Sequence, residues 1–358
     1  MNKPIENSLV EQPTGGKRIE YIDAMRGFTM LLVVMSHISG FELGMNRADD
    51  DVFSFGRLFA EFRMPLFFFV SGFVLYKDSQ RWNFRESLAF LRKKSEVQLF
   101  SPFVFLSVFV LVHDVGLLDA LFDYQKSGYW FTFTLFAYYV FYIFLQWALN
   151  LLRCRGWVRD AVLLLSAFLL YMLTIYTMIE HYHLNEGLAA LLGVPTWHHF
   201  LFFTIGVCVR KHFSMFEHLL DRRYTTCLLL LVFALFTLPL PFSRMSSTLT
   251  HLLLAVSGIC LVFAYFREHQ EAFSRNRFLG RAAQYVGRHT LDIYLIHYFF
   301  IFSNIGVLAP DFSQLNSPFM ELTCSAGLSL LVVAACLLVS SVLRLSPVMG
   351  HYLFGQKI

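Results

Sequence analysis

Apolar residues occur along this chain in long runs that are separated by short polar connections. In ten places the run is long enough, at roughly 20 residues, to cross the hydrocarbon core of a bilayer as a helix. These runs cover residues 20 to 42, 54 to 76, 98 to 114, 128 to 150, 160 to 180, 195 to 211, 224 to 242, 247 to 267, 286 to 308 and 318 to 342. The pattern predicts an all-α, polytopic membrane bundle of about ten transmembrane helices.

The segments outside these runs are mostly short. Residues 1–18 are polar and lack the apolar region of a signal peptide, so we expect a disordered N-terminal tail. Residues 19–345 form the predicted transmembrane domain, and residues 346–358 form a predicted short C-terminal tail.

Composition and charge agree with a membrane protein. Hydrophobic residues make up 56% of the chain and charged residues only 15%, whereas soluble domains carry about 25% charged residues. Most of the 29 lysines and arginines lie in the termini and the even-numbered connections, which predicts that both termini are cytoplasmic. Membrane topology thus accounts for the net charge of +4, and no nucleic-acid partner is expected. No CxxC pair or other zinc-ligand spacing occurs, so we predict no metal site.

The first span carries three ionisable residues: Asp23, Arg26 and His37. Ionisable side chains inside a membrane are costly and usually face a polar cavity or a partner. At ~100° and ~1.5 Å per residue, a helix brings Arg26 and His37 to the same face, roughly 16 Å apart along the axis. Two interpretations remain: a functional site, or a buried Asp23–Arg26 pair with a histidine that is hydrogen-bonded inside the bundle.

The second span is also unusually polar. Arg57 and Glu61 are one helical turn apart and are predicted to pair. Arg63 has no local partner, and Pro65, which precedes Ser71 and Gly72, can break the backbone ladder. These residues either line a site or belong to a kinked structural span.

Further candidates lie in the later connections and spans. Residues 77 to 97 predict an amphipathic interfacial helix whose cations include Arg92, Lys93 and Lys94. Trp130, at the start of the fourth span, has the position of an aromatic-belt residue at the outer interface. In the ninth span, His297 either lines a site with Tyr294 or hydrogen-bonds a helix neighbour. Asp292 is predicted to pair with Arg288, four residues earlier.

These motifs together resemble the acyltransferase type 3 family, the multi-pass O-acyltransferases of bacterial surface glycans. Three features carry the resemblance: the Arg26–His37 spacing with ten intervening residues, MPLFFFVSGFVL in the second span, and GRHTLDIYLIH around the ninth. Trp130 and FFTIGVCVRK of the sixth span add to it. The resemblance implies a location in the bacterial cytoplasmic (inner) membrane. It also implies an acyl-CoA co-substrate, with acetyl-CoA as the example, and no other cofactor.

By this resemblance, His37 is the expected catalytic histidine and Arg26 an essential cation, with Asp23 beside it. A histidine suits a general base that deprotonates a sugar hydroxyl near neutral pH. We expect acyl transfer to a sugar or surface-glycan precursor, with donor binding by Arg92, Lys93 and Lys94. The predicted substrate-binding residues are Arg57, Glu61, Arg63, Ser71, Trp130, Tyr294 and His297. The alternative is a proton-coupled secondary transporter that uses the same buried charges, although the two halves show no inverted repeat.

Overall fold

The computed structural model describes residues 19–42, 55–80, 82–180, 187–237, 247–301 and 317–356, and this part of the chain contains helices and no strands. The helices, in chain order, are α1 (Glu20–His37), α2 (Phe55–Leu75), α3 (Phe84–Ser95), α4 (Ser101–Val112), α5 (Leu117–Phe122), α6 (Trp130–Leu151), α7 (Gly156–Glu180), α8 (Gly187–Leu191), α9 (Phe200–Lys211), α10 (Phe213–Leu220), α11 (Arg223–Thr237), α12 (Ser247–Glu268), α13 (Phe278–Arg288), α14 (Thr290–Ile296), α15 (Tyr298–Ile301), α16 (Pro318–Leu343) and α17 (Pro347–Phe354).

The predicted polytopic bundle is confirmed. Within the described residues, eight helices are long and apolar enough to cross a membrane, and two shorter apolar segments, Tyr224–Thr237 and Thr290–Ile301, coincide with the seventh and ninth predicted spans. The sidedness of the termini stays a prediction.

The third span is longer than its apolar run. Helix α3 continues through a π-helical segment, Glu96–Phe100, into α4, so that one apolar helical unit extends over Phe84–Val112. It begins at Asn83, whose side chain accepts a hydrogen bond from the Glu86 amide at 2.8 Å. The predicted amphipathic helix therefore exists, and it continues without a break into the helix of the third span.

The ninth span begins later than the predicted residue 286. Helix α13 ends at Arg288, and the span proper is α14 and α15. Helix α13 instead crosses α1 at very short distance through Gly27 and Gly287. A β-carbon at Gly287 would lie 1.8 Å from the Asp23 carbonyl oxygen, so only glycine permits this crossing.

A second close crossing joins α2 to α9. A β-carbon at Gly72 would lie 1.9 Å from the Phe203 carbonyl oxygen, and one at Gly206 would lie 2.0 Å from that of Phe69. The glycines of the SGF and FFTIG segments therefore let the backbones of the second and sixth spans touch. The contact fixes α2, whose neighbouring Ser71 faces the cavity described below.

The predicted pairing of Asp292 with Arg288 is wrong. The Asp292 carboxylate accepts hydrogen bonds from the Arg344 guanidinium at 2.9 to 3.0 Å and from the Ser340 hydroxyl, both near the end of α16. Arg344 also lies 4.8 Å from the ring centroid of Phe354 in α17. Part of the predicted C-terminal tail is thus a helix that packs on the bundle.

Candidate active site

A cavity of about 520 Å³ runs beside one face of α1. Arg26, Met30, Val33 and His37 line it, at the spacings of four, three and four residues that define a single helical stripe. The predicted common face of Arg26 and His37 is therefore observed. The volume falls within the range of about 300–1,000 Å³ that is usual for small-molecule sites.

The other walls come from four parts of the chain that are distant in sequence. The lining residues beyond α1 include Met64, Phe67, Val70, Ser71 and Val74 of α2, Lys93 and Lys94 of α3, Trp130, Phe131, Thr132, Leu135 and Tyr139 of α6, and Thr290, Leu291, Tyr294 and Tyr298 of α14 and α15. Apolar side chains thus form most of the wall, and a few polar groups converge on it.

Arg26 is held by groups on two helices. Its guanidinium lies 3.9 Å from the Asp23 carboxylate and donates a hydrogen bond to the Thr290 hydroxyl at 3.1 Å. Asp23 is 4% exposed and does not belong to the cavity wall. The predicted Asp23–Arg26 pair is present, and in it the carboxylate orients a cation that faces the cavity.

His37 ends α1 within an aromatic cluster. Its Nε2 lies 3.3 Å from the Tyr298 hydroxyl, and the ring of Phe41 stacks on it with a centroid distance of 5.7 Å. The His297 ring centroid is 5.5 Å away. The His37 side chain makes no other hydrogen bond within the described residues, so Nδ1 has no protein partner there.

Two tyrosines converge on the carbonyl oxygen of Gly128. Tyr294 and Tyr298 donate hydrogen bonds to it at 3.0 and 3.1 Å, and the Phe131 amide donates to the Tyr294 hydroxyl at 3.2 Å. The two tyrosines are one helical turn apart and face the same way. The loop before α6 is thereby connected to His37 through Tyr298.

Arg63 lies close enough to His37 and Tyr298 for a Coulombic interaction with both. Its Nε is buried without a hydrogen-bond partner among the residues that the structure describes. The side chain of Arg57 lies outside the described residues, so the predicted Arg57–Glu61 pair stays a prediction. Glu61 is half-buried on α2 and is not part of the cavity wall.

The cavity also includes Ser71 and Trp130 but not His297. The Ser71 hydroxyl donates to the Phe67 carbonyl at 2.8 Å, which leaves only its lone pairs for another group. The Trp130 indole stacks on His199 with a centroid distance of 6.0 Å and lines the cavity; its location at the outer membrane interface stays a prediction. His297 is fully buried, and its Nδ1 bonds the helix carbonyls of Ile293 and Tyr294.

Cations lie at one end of the cavity. Lys93 and Lys94 line it together with Lys77 and Gln80, which follow α2. The Lys94 ammonium lies 5.3 Å from the ring centroid of Tyr139. The exposed Arg92 does not belong to the wall, so the structure brings two of the three predicted donor-binding residues to the cavity.

Comparison with known proteins identifies the family of this chain. A family model described as "Acyltransferase domain" (Acyl_transf_3) matches residues 19–338. The chain belongs to this acyltransferase family. No curated protein and no solved structure matches it. Family membership establishes a membrane acyltransferase that uses an acyl donor and an acceptor. The matched range includes all the residues that line the cavity.

Some residues at the acyltransferase cavity were not predicted from the sequence. Tyr298 and Thr290 are the most important, because they contact His37 and Arg26 directly. Tyr298 stands four residues after Tyr294, so the shared helical face was a signal for it. Gly128, Lys77 and Gln80 gave no such signal, since loop residues reach a site only through tertiary packing.

Proposed function

We propose that the protein transfers an acyl group, an acetyl group in the first instance, from acyl-CoA to a hydroxyl of a sugar or surface-glycan precursor. The observation that carries this proposal is the cavity that joins a cluster of lysines to Arg26 and His37 along one face of α1. We place the protein in the cytoplasmic (inner) membrane of a bacterium, with the lysine end of the cavity on the cytoplasmic side.

The proposed acyl-CoA donor fits the end of the cavity that is lined by lysines. A coenzyme A nucleotide carries several phosphate charges, which Lys77, Lys93 and Lys94 can neutralise outside the membrane. Its narrow, mostly uncharged pantetheine arm suits the apolar wall between the lysines and His37. Arg26, oriented by Asp23 and Thr290, would hold the donor's phosphate or carbonyl oxygens on the way.

His37 acts as general base in this proposal. The sugar hydroxyl gives its proton to the imidazole while its oxygen attacks the thioester carbonyl. The new carbon–oxygen bond forms, the carbon–sulfur bond breaks, and the departing thiolate takes the proton from the imidazolium to leave as CoA thiol. Arg63 is half-buried near His37, its Nε has no partner among the described residues, and it supplies a positive charge for the developing oxyanion.

The test is acyl transfer by purified protein in lipid nanodiscs. Labelled acetyl-CoA is supplied with glycan precursors, and transfer to glycan and release of CoA thiol are both measured. We expect His37→Ala to abolish transfer, whereas His218→Ala, an exposed histidine on α10, retains it. Full transfer by His37→Ala would refute the general-base role.

The same preparation separates an enzyme from a proton-coupled carrier. Protein in sealed liposomes is given a proton gradient without acyl-CoA, and movement of the sugar across the membrane is measured. Gradient-driven movement of the sugar here, together with no release of CoA thiol in the nanodisc assay with acetyl-CoA, would favour the carrier and refute the enzyme.

A further inference from the structure

The loop before α6 has a backbone conformation that needs explanation. Lys126, Ser127 and Gly128 have φ values of +46°, +49° and +96°, although two of them are not glycines. Left-handed backbone at non-glycine residues is strained, and such strain persists only where surrounding contacts impose it. Gly128 also lies against Tyr298, since a β-carbon there would be 2.1 Å from the tyrosine ring.

The buried ammonium of Lys126 holds this loop in place. Lys126 is 2% exposed, and its Nζ donates to the carbonyl oxygens of Ala190, Leu121 and Asp123 at 2.9, 3.2 and 3.4 Å. Burial lowers the pKa of this ammonium. The strained loop and its anchor together direct the Gly128 carbonyl oxygen toward the hydroxyls of Tyr294 and Tyr298.

The hydrogen bonds of Tyr298 indicate which ring nitrogen of His37 carries the proton. The Gly128 carbonyl can only accept, so its bond to Tyr298 uses the single hydroxyl proton of that tyrosine. The oxygen of Tyr298 is left as an acceptor toward His37, whose Nε2 lies 3.3 Å away. In this arrangement Nε2 carries the ring proton and donates it to the Tyr298 oxygen, and Nδ1 holds the lone pair.

We propose that Tyr298, held by the Gly128 carbonyl, is a positioning residue that keeps neutral His37 protonated on Nε2, so that Nδ1 is the general base. This inference rests on the function proposed above. Nδ1 has no hydrogen-bond partner within the described residues, and His37 lines the cavity. When Nδ1 takes the acceptor's proton, Nε2–H donates more strongly to the Tyr298 oxygen, which stabilises the imidazolium until the thiolate leaves with the proton.

The protonation state can be measured without any turnover. Protein labelled with ¹⁵N-histidine is reconstituted in lipid bilayers, and the two ring nitrogens of His37 are observed by solid-state NMR at a pH where the ring is neutral. The His37 signals are assigned by their loss in His37→Gln. We expect an unprotonated Nδ1 and a protonated Nε2 in the unaltered protein, and a mixture of both tautomers in Tyr298→Phe.

A matched variant separates this role from general packing. Tyr129 is also buried, its hydroxyl donates to the Leu295 carbonyl at 3.0 Å, and its ring centroid lies 5.4 Å from that of Tyr298. Tyr129→Phe removes an equivalent buried hydroxyl that does not bond His37. It should leave the His37 tautomer unchanged.

Kinetics give the second measurement. Tyr298→Phe should lower kcat about 10- to 100-fold, with KM for acyl-CoA nearly unchanged, because the hydroxyl acts on the base and not on the donor. Tyr129→Phe should retain kcat within about threefold, as expected for a hydroxyl that touches neither base nor donor. A His37 protonated on Nδ1, or a Tyr298→Phe spectrum identical to that of the unaltered protein, would overturn the inference. If the tautomer is as expected but His37→Ala still transfers acyl groups, the proposed function fails and the tautomer assignment stands.

Discussion

Replacement of Gly72 by alanine tests whether the contact between α2 and α9 organises the bundle. The new methyl group would lie 1.9 Å from the Phe203 carbonyl oxygen and 3.2 Å from the Val207 amide nitrogen. Ordinary contact begins at 3.4 Å, so the two backbones must separate locally by about 1.5 Å. The clashing atom belongs to the backbone of a helix, which cannot rotate away as a flexible side chain would.

The cost follows from the packing around the crossing. Phe69, Phe73 and Phe203 are almost completely buried beside it, and their dispersion contacts are lost where the helices separate. Overpacking in a dense core costs about 1–3 kcal/mol, so we expect Gly72→Ala to lower the midpoint of thermal unfolding by about 2–6 °C. Gly206→Ala should lower the midpoint by a similar amount. The double variant should lose less stability than the sum of the two single losses, because the first methyl group already separates the helices.

The assay is thermal unfolding of purified protein in one detergent, followed by intrinsic fluorescence. Gly327→Ala is the matched control, since a β-carbon there meets nothing within 4 Å on the exposed side of α16. That control should be neutral or stabilised by up to about 1 kcal/mol, as expected from helix propensity. A Gly72→Ala protein as stable as the Gly327→Ala protein would refute the close-crossing argument.

Three other variants have defined outcomes. Asp292→Asn should lower the free energy of unfolding by about 2–3 kcal/mol, because the partly exposed Arg344 loses the carboxylate that it pairs with. Arg288→Ala should lower it by less than about 0.5 kcal/mol. Equal effects of the two variants in denaturation would contradict the observed pairing. Lys126→Met should cost about 1–3 kcal/mol by the same measurement, since one buried and two partly buried carbonyls lose a donor; an unchanged stability would show that the ammonium does not hold the loop. Lys94→Glu should raise KM for acyl-CoA about tenfold at low salt and less at high salt; an unchanged KM would place the donor elsewhere.

The sequence alone determined the number and approximate positions of the apolar helices and the cavity-lining face of α1. Both depend on local properties: the length of an apolar run sets whether it crosses a bilayer, and the helical repeat sets which residues share a face. The stripe from Arg26 to His37 and the local Asp23–Arg26 pair were therefore accessible without tertiary structure. The family motifs were also recognisable in the sequence. Only the structure shows that the motif glycines Gly72 and Gly206 allow close contact between helix backbones.

Only the tertiary structure decided which distant groups meet. Asp292 pairs with Arg344 across 52 residues in place of the nearby Arg288, and Tyr298 reaches His37 across 261 residues. Trp130 lines the cavity, where its ring packs on Phe68 and His199. Such contacts depend on how the helices pack against each other. That packing cannot be predicted from the residues of any one helix alone.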